Sequence, residues 1–431
     1  MKVAAYREGY YGGTGFRRVW SGSFVATPQR GPATLVEPLS DADGARRTRA
    51  VYAPWRVTYE VTTAGWPEGE YLFRLDSGEV SRYVLLTVRS AVLAGRVVIV
   101  NSPMTWQAYN TWGGRGLYGD VGKNFAARSL AVSFDRPYAD GYGSGRTLTY
   151  DVPIVREAEK LGLPLAWVTD YDLAVNPSLV TGATTLVFGG HAEYWTAVMR
   201  AAVESTVRSG TNLAVFGANT AYWRVRLAGR HVALVTAPKR RDGRPRVLFG
   251  PKSAALDPLR YSDPAGTTAR FRDSPRPQRE ELLTGMRYDC YPSKASWVVS
   301  DAGWWGYAGT GVRNGTSIPG VVGPESDRVY PVSTRPRPTR VVAYTRLSCG
   351  SHLTLHTGVY WTNVAGAGVF DAGTMGWPRS IKAPGAKGRI IEGVTANVLK
   401  AFAKPTAGRT HPTTDNVRQF WLPTRAAAVA D

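Results

Sequence analysis

The 431 residues include 53 Lys and Arg against 33 Asp and Glu, a formal charge of +20, with 43% hydrophobic and 11% aromatic side chains, among them 14 Trp and 22 Tyr. That length suggests two to three domains, and the aromatic content favours a β-rich globular chain. No run approaches the ~18 apolar residues that cross a bilayer, since even SAVLAGRVVIV is broken at Arg96, so a membrane span is excluded.

Two cysteines, Cys290 and Cys349, rule out a thiolate cluster or a CxxC site and leave pairing or two buried thiols open. The basic excess is mostly Arg and is densest between Lys239 and Arg279, among Pro and Gly. No zinc-finger spacing, aromatic RNA-reading signature or basic heptad helix accompanies it, so it reads as a solubility trait rather than a nucleic-acid surface. The first residues, MKVAAYREGYYGG, lack an apolar signal core. The expectation is therefore a soluble chain, cytoplasmic or exported after processing.

From Met1 to about Ser90, VTYEVTT, EYLFRL and SRYVLLTVR run apolar or alternate over strand lengths, with WPEGEY as a turn. These strands predict an immunoglobulin-like β-sandwich over residues 1–92. At Arg96 the rhythm changes. RVVIVNSP, LPLAWVTD, TTLVFGG and NLAVFGAN read as buried strands, and DVPIVREAEKLG and the stretch from Glu193 to about Arg208 read as helices, the latter stopped at Ser209 and Gly210. Strand and helix alternating at this spacing predict a mostly parallel sheet with right-handed crossovers. The sheet resumes with RVVAYTR and VFDAG and closes on a helix around VTANVLKAFA, giving an α/β domain over 93–405. Within it, residues 228–335 lose periodicity and read as a long irregular insertion of the kind that forms lids or site walls. Residues 406–431 read as an irregular tail.

Three segments at strand ends are rich in groups that do chemistry: NSPMTWQAYNTWGGRGLYG, GGHAEYW and GANTAYWR. In a parallel sheet these turns share the carboxyl edge, where open α/β folds collect ligands. They would gather Tyr109, Tyr118, His191 and Glu193, with Asn110, Asn219 and Tyr222 as neutral hydrogen-bonding groups. Each residue alone has an ordinary explanation: Tyr109 and Tyr118 as packing rings, His191 as a helix cap, Glu193 as a first-turn acid favoured by the helix dipole, Asn219 as a turn residue.

Together TWQAYNTWGG, GGHAEYW, GANTAYWRVR and the late GAGVFDAGTMGW resemble the large subunit of N,N-dimethylformamidase and its relatives, and AYREGYYGGTGFRRVW with WPEGEYLFRL resembles the region preceding their catalytic part. The resemblance spans roughly residues 1–405 and implies a domain like the class I glutamine amidotransferases. Where those enzymes carry a cysteine nucleophile at the strand-turn-helix elbow, this chain has Gly190-His191-Ala192-Glu193, which excludes thiol catalysis. The resemblance further implies a mononuclear Fe(III) on two tyrosinates and a glutamate. Carried over by position, these ligands are Tyr109, Tyr118 and Glu193, with Tyr138 and Tyr142 as fallbacks for Tyr118, and with His191 and Asn219 as catalytic neighbours. The expected activity is hydrolysis of a small amide, in a pocket walled by Trp106, Trp112, Trp195 and Trp223. Homo-oligomerisation and a small subunit of the dimethylformamidase type stay open. The competing expectation is a non-catalytic carbohydrate- or surface-binding protein on the same scaffold, which would purify colourless.

Overall fold

A computed structural model describes residues 1–36, 38–40, 43–228, 246–332 and 334–420, with 38–40, 43–47 and 228 described for the backbone only. The most basic part of the expected insertion, PKRRDGRP, lies outside the described residues. The architecture is mixed α/β, with many strands in several sheets and few helices, and no sheet among the described residues closes into a barrel.

Near the N-terminus, β1 (Lys2–Glu8), β2 (Phe16–Ser23), β3 (Gly69–Ser77) and β4 (Val80–Val88) form an antiparallel sheet in the order β2-β1-β3-β4. VTYEVTT, expected as a strand, pairs with nothing and is irregular. Tyr59 stacks on Phe24 at 5.1 Å, but Val57 and Tyr59 stay exposed, so the alternation that reads as a strand has neither a ladder nor a buried face behind it.

The large sheet contains β5 (Val97–Asn101), β6 (Leu165–Thr169), β7 (Thr185–His191), β8 (Asn212–Ala218), β9 (Thr339–Cys349), β10 (His352–Thr362) and β11 (Gly368–Asp371) in the order β6-β5-β7-β8-β11-β10-β9. The five strands from β6 to β11 are parallel, and the β9–β10 hairpin extends the sheet antiparallel. Both faces are covered, which is why these strands read as unbroken apolar runs. Val97, Ile99, Val187 and Phe216 pack with helices α2 (Val152–Lys160) and α4 (Gly385–Phe402), whereas Val98, Val100, Leu186 and Val215 pack with α1 (Pro103–Tyr109) and α3 (Ala197–Arg208). Because β6 and β7 lie on opposite sides of β5, the strand order reverses between β5 and β7. A crevice opens beyond the carboxyl ends of the strands at such a reversal.

Two local expectations need correction. The Gly-Gly pair belongs to β7 itself and is not a turn, and the helix begins at Ala197 rather than Glu193, with the Thr196 hydroxyl accepting from Met199 N as its cap. Tyr194–Thr196 forms a strand parallel to Trp223–Ala228, so the chain leaving β7 and the chain leaving β8 are tied together just past the sheet edge. The glycines are there for proximity. A Cβ on Gly190 would lie 2.1 Å from the Tyr150 ring and one on Gly217 would lie 2.4 Å from Gly190 O.

The segment expected to be an irregular insertion carries short paired strands, among them Arg287–Cys290 with Ser326–Arg328 and Ala295–Val298 with Ser317–Val322. Their bulged registers and lengths of three to six residues leave little periodicity to read. Beyond residue 405, a short helix, Ala407–Thr410, precedes an Asp415 carboxylate that accepts from Arg335. Cys290 and Cys349 form a disulfide that joins the inserted strands to the end of β9, with 59 residues of separation. Closing a loop of that length is worth about 4 kcal/mol in the chain-entropy model. Cys290→Ser is therefore expected to lower the urea midpoint of the oxidised protein to that of the reduced wild type; an unchanged midpoint would show that the bridge contributes nothing.

Where the N-terminal sheet meets the α/β layers, three carboxyl groups are buried together: Glu8 on β1, Glu70 on β3 and Asp151 at the start of α2. Glu70 accepts from Thr147 at 2.6 Å and from Asn101, while Arg7 is engaged by Glu159 at 2.7 Å. Burial, reinforced by the Glu70 charge, holds Glu8 and Asp151 well above their ordinary values, and burial raises Glu70 despite the hydrogen bonds it accepts. Raised folded values mean that these acids stabilise fully below their unfolded values, 4.5 for the two Glu and 3.8 for Asp151, and lose that contribution as pH climbs through the folded values. Wild-type Tm is expected to fall from mildly acidic toward alkaline pH, and Glu8→Gln to flatten that slope in a calorimetric pH series. Parallel slopes would dismiss the cluster as the cause.

Candidate active site

Glu193 lies in the chain between β7 and α3 and lines the crevice at the carboxyl edge of the sheet. Its backbone is fixed on every side. The Glu193 and Tyr194 amides donate to Thr105 Oγ1 at 3.0 and 3.2 Å, and Glu193 O accepts from the Tyr222 and Trp223 amides, both at 2.9 Å. The side chain is buried.

Three groups donate to this carboxylate. The Tyr109 hydroxyl, from the last residue of α1, donates to Oε2 at 2.7 Å. The Tyr118 hydroxyl donates to Oε1 and Oε2 at 3.0 and 3.1 Å. Asn219 Nδ2 donates to Oε1 at 3.2 Å and to Glu325 Oε2 at 2.7 Å. Tyr118 reaches the site because Arg115–Gly116 pairs with Gly119–Asp120, placing Leu117 and Tyr118 at the tip of a tight hairpin whose ring stacks on Tyr109 at 4.2 Å. Of the three tyrosines weighed for this position, Tyr138 lines the same cavity but sets its ring edge-on to Trp106, and Tyr142 is 70% exposed. Asn219 follows β8 with φ 56°, a left-handed conformation Asn tolerates, and its amide donates to both Asp327 oxygens at 2.9 and 3.0 Å.

His191, the last residue of β7, places Nε2 3.4 Å from Glu193 Oε2 and 3.4 Å from Glu325 Oε2, at ion-pair range to both but with no hydrogen bond of good geometry. Burial works against its protonation, but the charges of Glu325 and Glu193 outweigh it and raise its pKa. Burial likewise pulls Glu325 up, yet His191 and the Asn219 hydrogen bond win, leaving it below the ordinary carboxylate value. Glu193 stays raised, with burial exceeding the help from His191. Lys252 Nζ sits 3.1 Å from the Tyr118 ring centroid and donates to the Tyr194 hydroxyl at 3.2 Å; burial lowers its pKa to about 7. Burial, then the Glu193 charge, pushes both Tyr109 and Tyr118 well above 10, so alone they are phenols that donate.

All five residues carried over from the sequence meet at one sheet edge. Asn110 braces the loop instead, donating to Gln107 Oε1 and Pro137 O and accepting from the Trp112 and Ala139 amides. Trp106 and Trp223 line the cavity, whereas Trp112 packs on Trp55 and Trp195 is buried against Phe188, which corrects two of the four expected wall residues. Glu325, Asp327 and Lys252 were not anticipated. They come from the segment read as an irregular insertion, whose one available signal was the expectation that such a segment walls a site.

The family model described as N,N-dimethylformamidase beta subunit-like, C-terminal, matches residues 2–389. The chain belongs to that family. No curated protein matches it. Membership in the dimethylformamidase-like family indicates a hydrolase of that type, and no helix among the described residues is long and apolar enough to cross a membrane. Among the described residues no three His, Cys, Asp or Glu side chains group as a metal site.

Proposed function

We propose that this dimethylformamidase-like chain hydrolyses the C–N bond of an amide at the Tyr109–Glu193 edge. The observation that carries the reading is the convergence of two phenol oxygens on one buried carboxylate, at 2.7 to 3.1 Å, beside a histidine that makes no good hydrogen bond. An all-oxygen set of two phenols and a carboxylate suits a hard, strongly acidic cation, and only such a cation would deprotonate phenols this raised at neutral pH. Tyr109, Tyr118 and Glu193 are the residues that would hold a mononuclear ferric ion, which when bound supplies Lewis-acid polarisation of the carbonyl.

The other residues handle protons and position. Water adds to the carbonyl carbon as His191 takes its proton; the C–N bond then breaks as His191 returns that proton to nitrogen, yielding a carboxylic acid and an amine. Glu325, 3.4 Å from Nε2, holds the imidazolium formed between those steps. Both amide hydrogens of Asn219 are engaged by carboxylates, so it first sets the spacing of Glu193 and Glu325. Its longer bond, 3.2 Å to Glu193, is the one to open for donation to the developing oxyanion. Around this site we read the parallel strands, with the first two sequence neighbours reversed, as an amidotransferase-like layer, and the N-terminal sheet as an immunoglobulin-like one. A purely binding protein on this scaffold would have no use for two buried carboxylates at ion-pair range to one histidine.

The deciding experiment combines amine release from small amides with the visible spectrum and iron content of the purified chain. Hydrolysis that is lost on chelation and restored by iron, with a tyrosinate charge-transfer band, is the expected result. A colourless, iron-saturation-resistant protein that cleaves no amide would sink it.

A further inference from the structure

The cavity over this edge is far larger than a dialkyl formamide fills. It encloses about 700 Å³, within the range that takes drug-sized ligands. Its deep end is the Tyr109–Glu193 cluster, and its mouth lies at the exposed Lys123, Asp140 and Arg146, the last two paired at 2.8 Å. Aromatic rings form part of the lining, Trp223 with Lys252 Nζ over its ring at 4.7 Å. Tyr222 packs edge-on to Trp223 at 5.0 Å and to Tyr288 at 5.2 Å, and all three line the cavity. Trp223 Nε1 is buried with no hydrogen-bond partner among the described residues.

A substrate that ends at two methyl groups fills only a small part of such a cavity. Binding energy gathered from remote, non-reacting parts of a substrate is what orients and distorts the reacting centre, so walls of this kind raise turnover only for a substrate long enough to touch them. Aromatic faces favour another ring, by stacking or edge-to-face contact, over an alkyl chain of equal area.

Resting on the amide-hydrolase reading above, we propose that the substrate class is amides bearing an aromatic or arylalkyl substituent, bound with the amide at Glu193 and the ring along Tyr222, Trp223 and Tyr288. The bond cleaved and the products are those of the hydrolysis already described, an acid and an amine, one of which carries the ring.

Two readouts on the full iron-loaded chain test it: dissociation constants by calorimetry, and kcat/KM from amine release, each for N,N-dimethylformamide and N-benzylformamide. The benzyl amide is expected to bind about 10- to 100-fold more tightly and to show a kcat/KM higher by a similar factor, as burial of one ring implies. Trp223→Ala is expected to cut that preference about tenfold, and Tyr288→Ala repeats the test if the first variant does not fold. Equal binding of the two amides overturns the proposal even if both are hydrolysed. Tighter binding of the benzyl amide with no amide cleaved upholds the aryl pocket and overturns the amide-hydrolase reading alone.

Discussion

Glu193→Ala is expected to strip the protein of iron and of amide hydrolysis together, while Tyr109→Phe weakens both. Removing the carboxylate takes one anionic donor from a proposed set of three, leaves the Tyr109 and Tyr118 hydroxyls without their shared acceptor and leaves Asn219 with Glu325 alone. Each buried donor so orphaned costs about 1–3 kcal/mol. Against that, a buried carboxylate with a raised pKa is itself expensive to keep, so the net change in fold stability is expected to be small beside the loss of metal. Even outer partners of metal ligands are worth about 10- to 100-fold in affinity, and a ligand itself is expected to exceed that. Glu193→Gln separates the two effects, because it preserves shape and an acceptor oxygen while removing the charge. Metal analysis with the visible band, amine release and thermal melts measure iron, turnover and stability independently. Full iron occupancy in Glu193→Ala would refute the assignment of the ligands whatever happened to turnover.

The parallel layer was legible because its strands are buried on both faces. RVVIV, LAWVT, TLVF and NLAVF are runs that only a helix-covered sheet makes use of, and their spacing fixes the crossovers. The carboxyl-edge turns followed from that, and with them Tyr109, His191, Glu193 and Asn219. The start of α3 was misplaced because Tyr194-Trp195-Thr196 joins a second small sheet through Trp223–Ala228, a tertiary pairing that no local period announces. VTYEVTT failed for the opposite reason: its alternation is real, but no neighbouring strand pairs with it and its Val57 and Tyr59 stay exposed. Glu325 and Lys252 were invisible because the strands and turns that deliver them are too short and too bulged to show a period. Glu325 comes directly after a Gly-Pro step, where composition says turn and nothing says carboxylate at a sheet edge more than 130 residues upstream. The family resemblance supplied the proposed ligand set, which position alone could not suggest. The second acid is a finding of the geometry.

His191→Ala is expected to keep iron and the fold yet lose about 10²- to 10⁴-fold in kcat, the range a positioned general base contributes. The side chain is buried, and its Nε2 lies midway between two carboxylates at 3.4 Å with its hydrogen-bonding capacity unspent. A histidine kept for packing would have been satisfied. One kept as a metal ligand would not lie at ion-pair range to a second acid, Glu325, that the proposed ligand set does not include. Removing the imidazole leaves Glu193 and Glu325 facing each other across Asn219 alone, so some loss of stability is expected from their repulsion, and Glu325→Gln should recover it. The double variant His191→Ala with Glu325→Gln is therefore expected to melt higher than His191→Ala but to be no more active, because stability and proton transfer depend on different members of the pair. In the kinetic cycle the two single losses are expected to be strongly non-additive, as for groups that act as one unit. If His191→Ala instead turned over any accepted amide at the wild-type rate with iron retained, the proton would have to be carried by another group, and Lys252, with its lowered pKa beside Tyr118, would be the next side chain to replace.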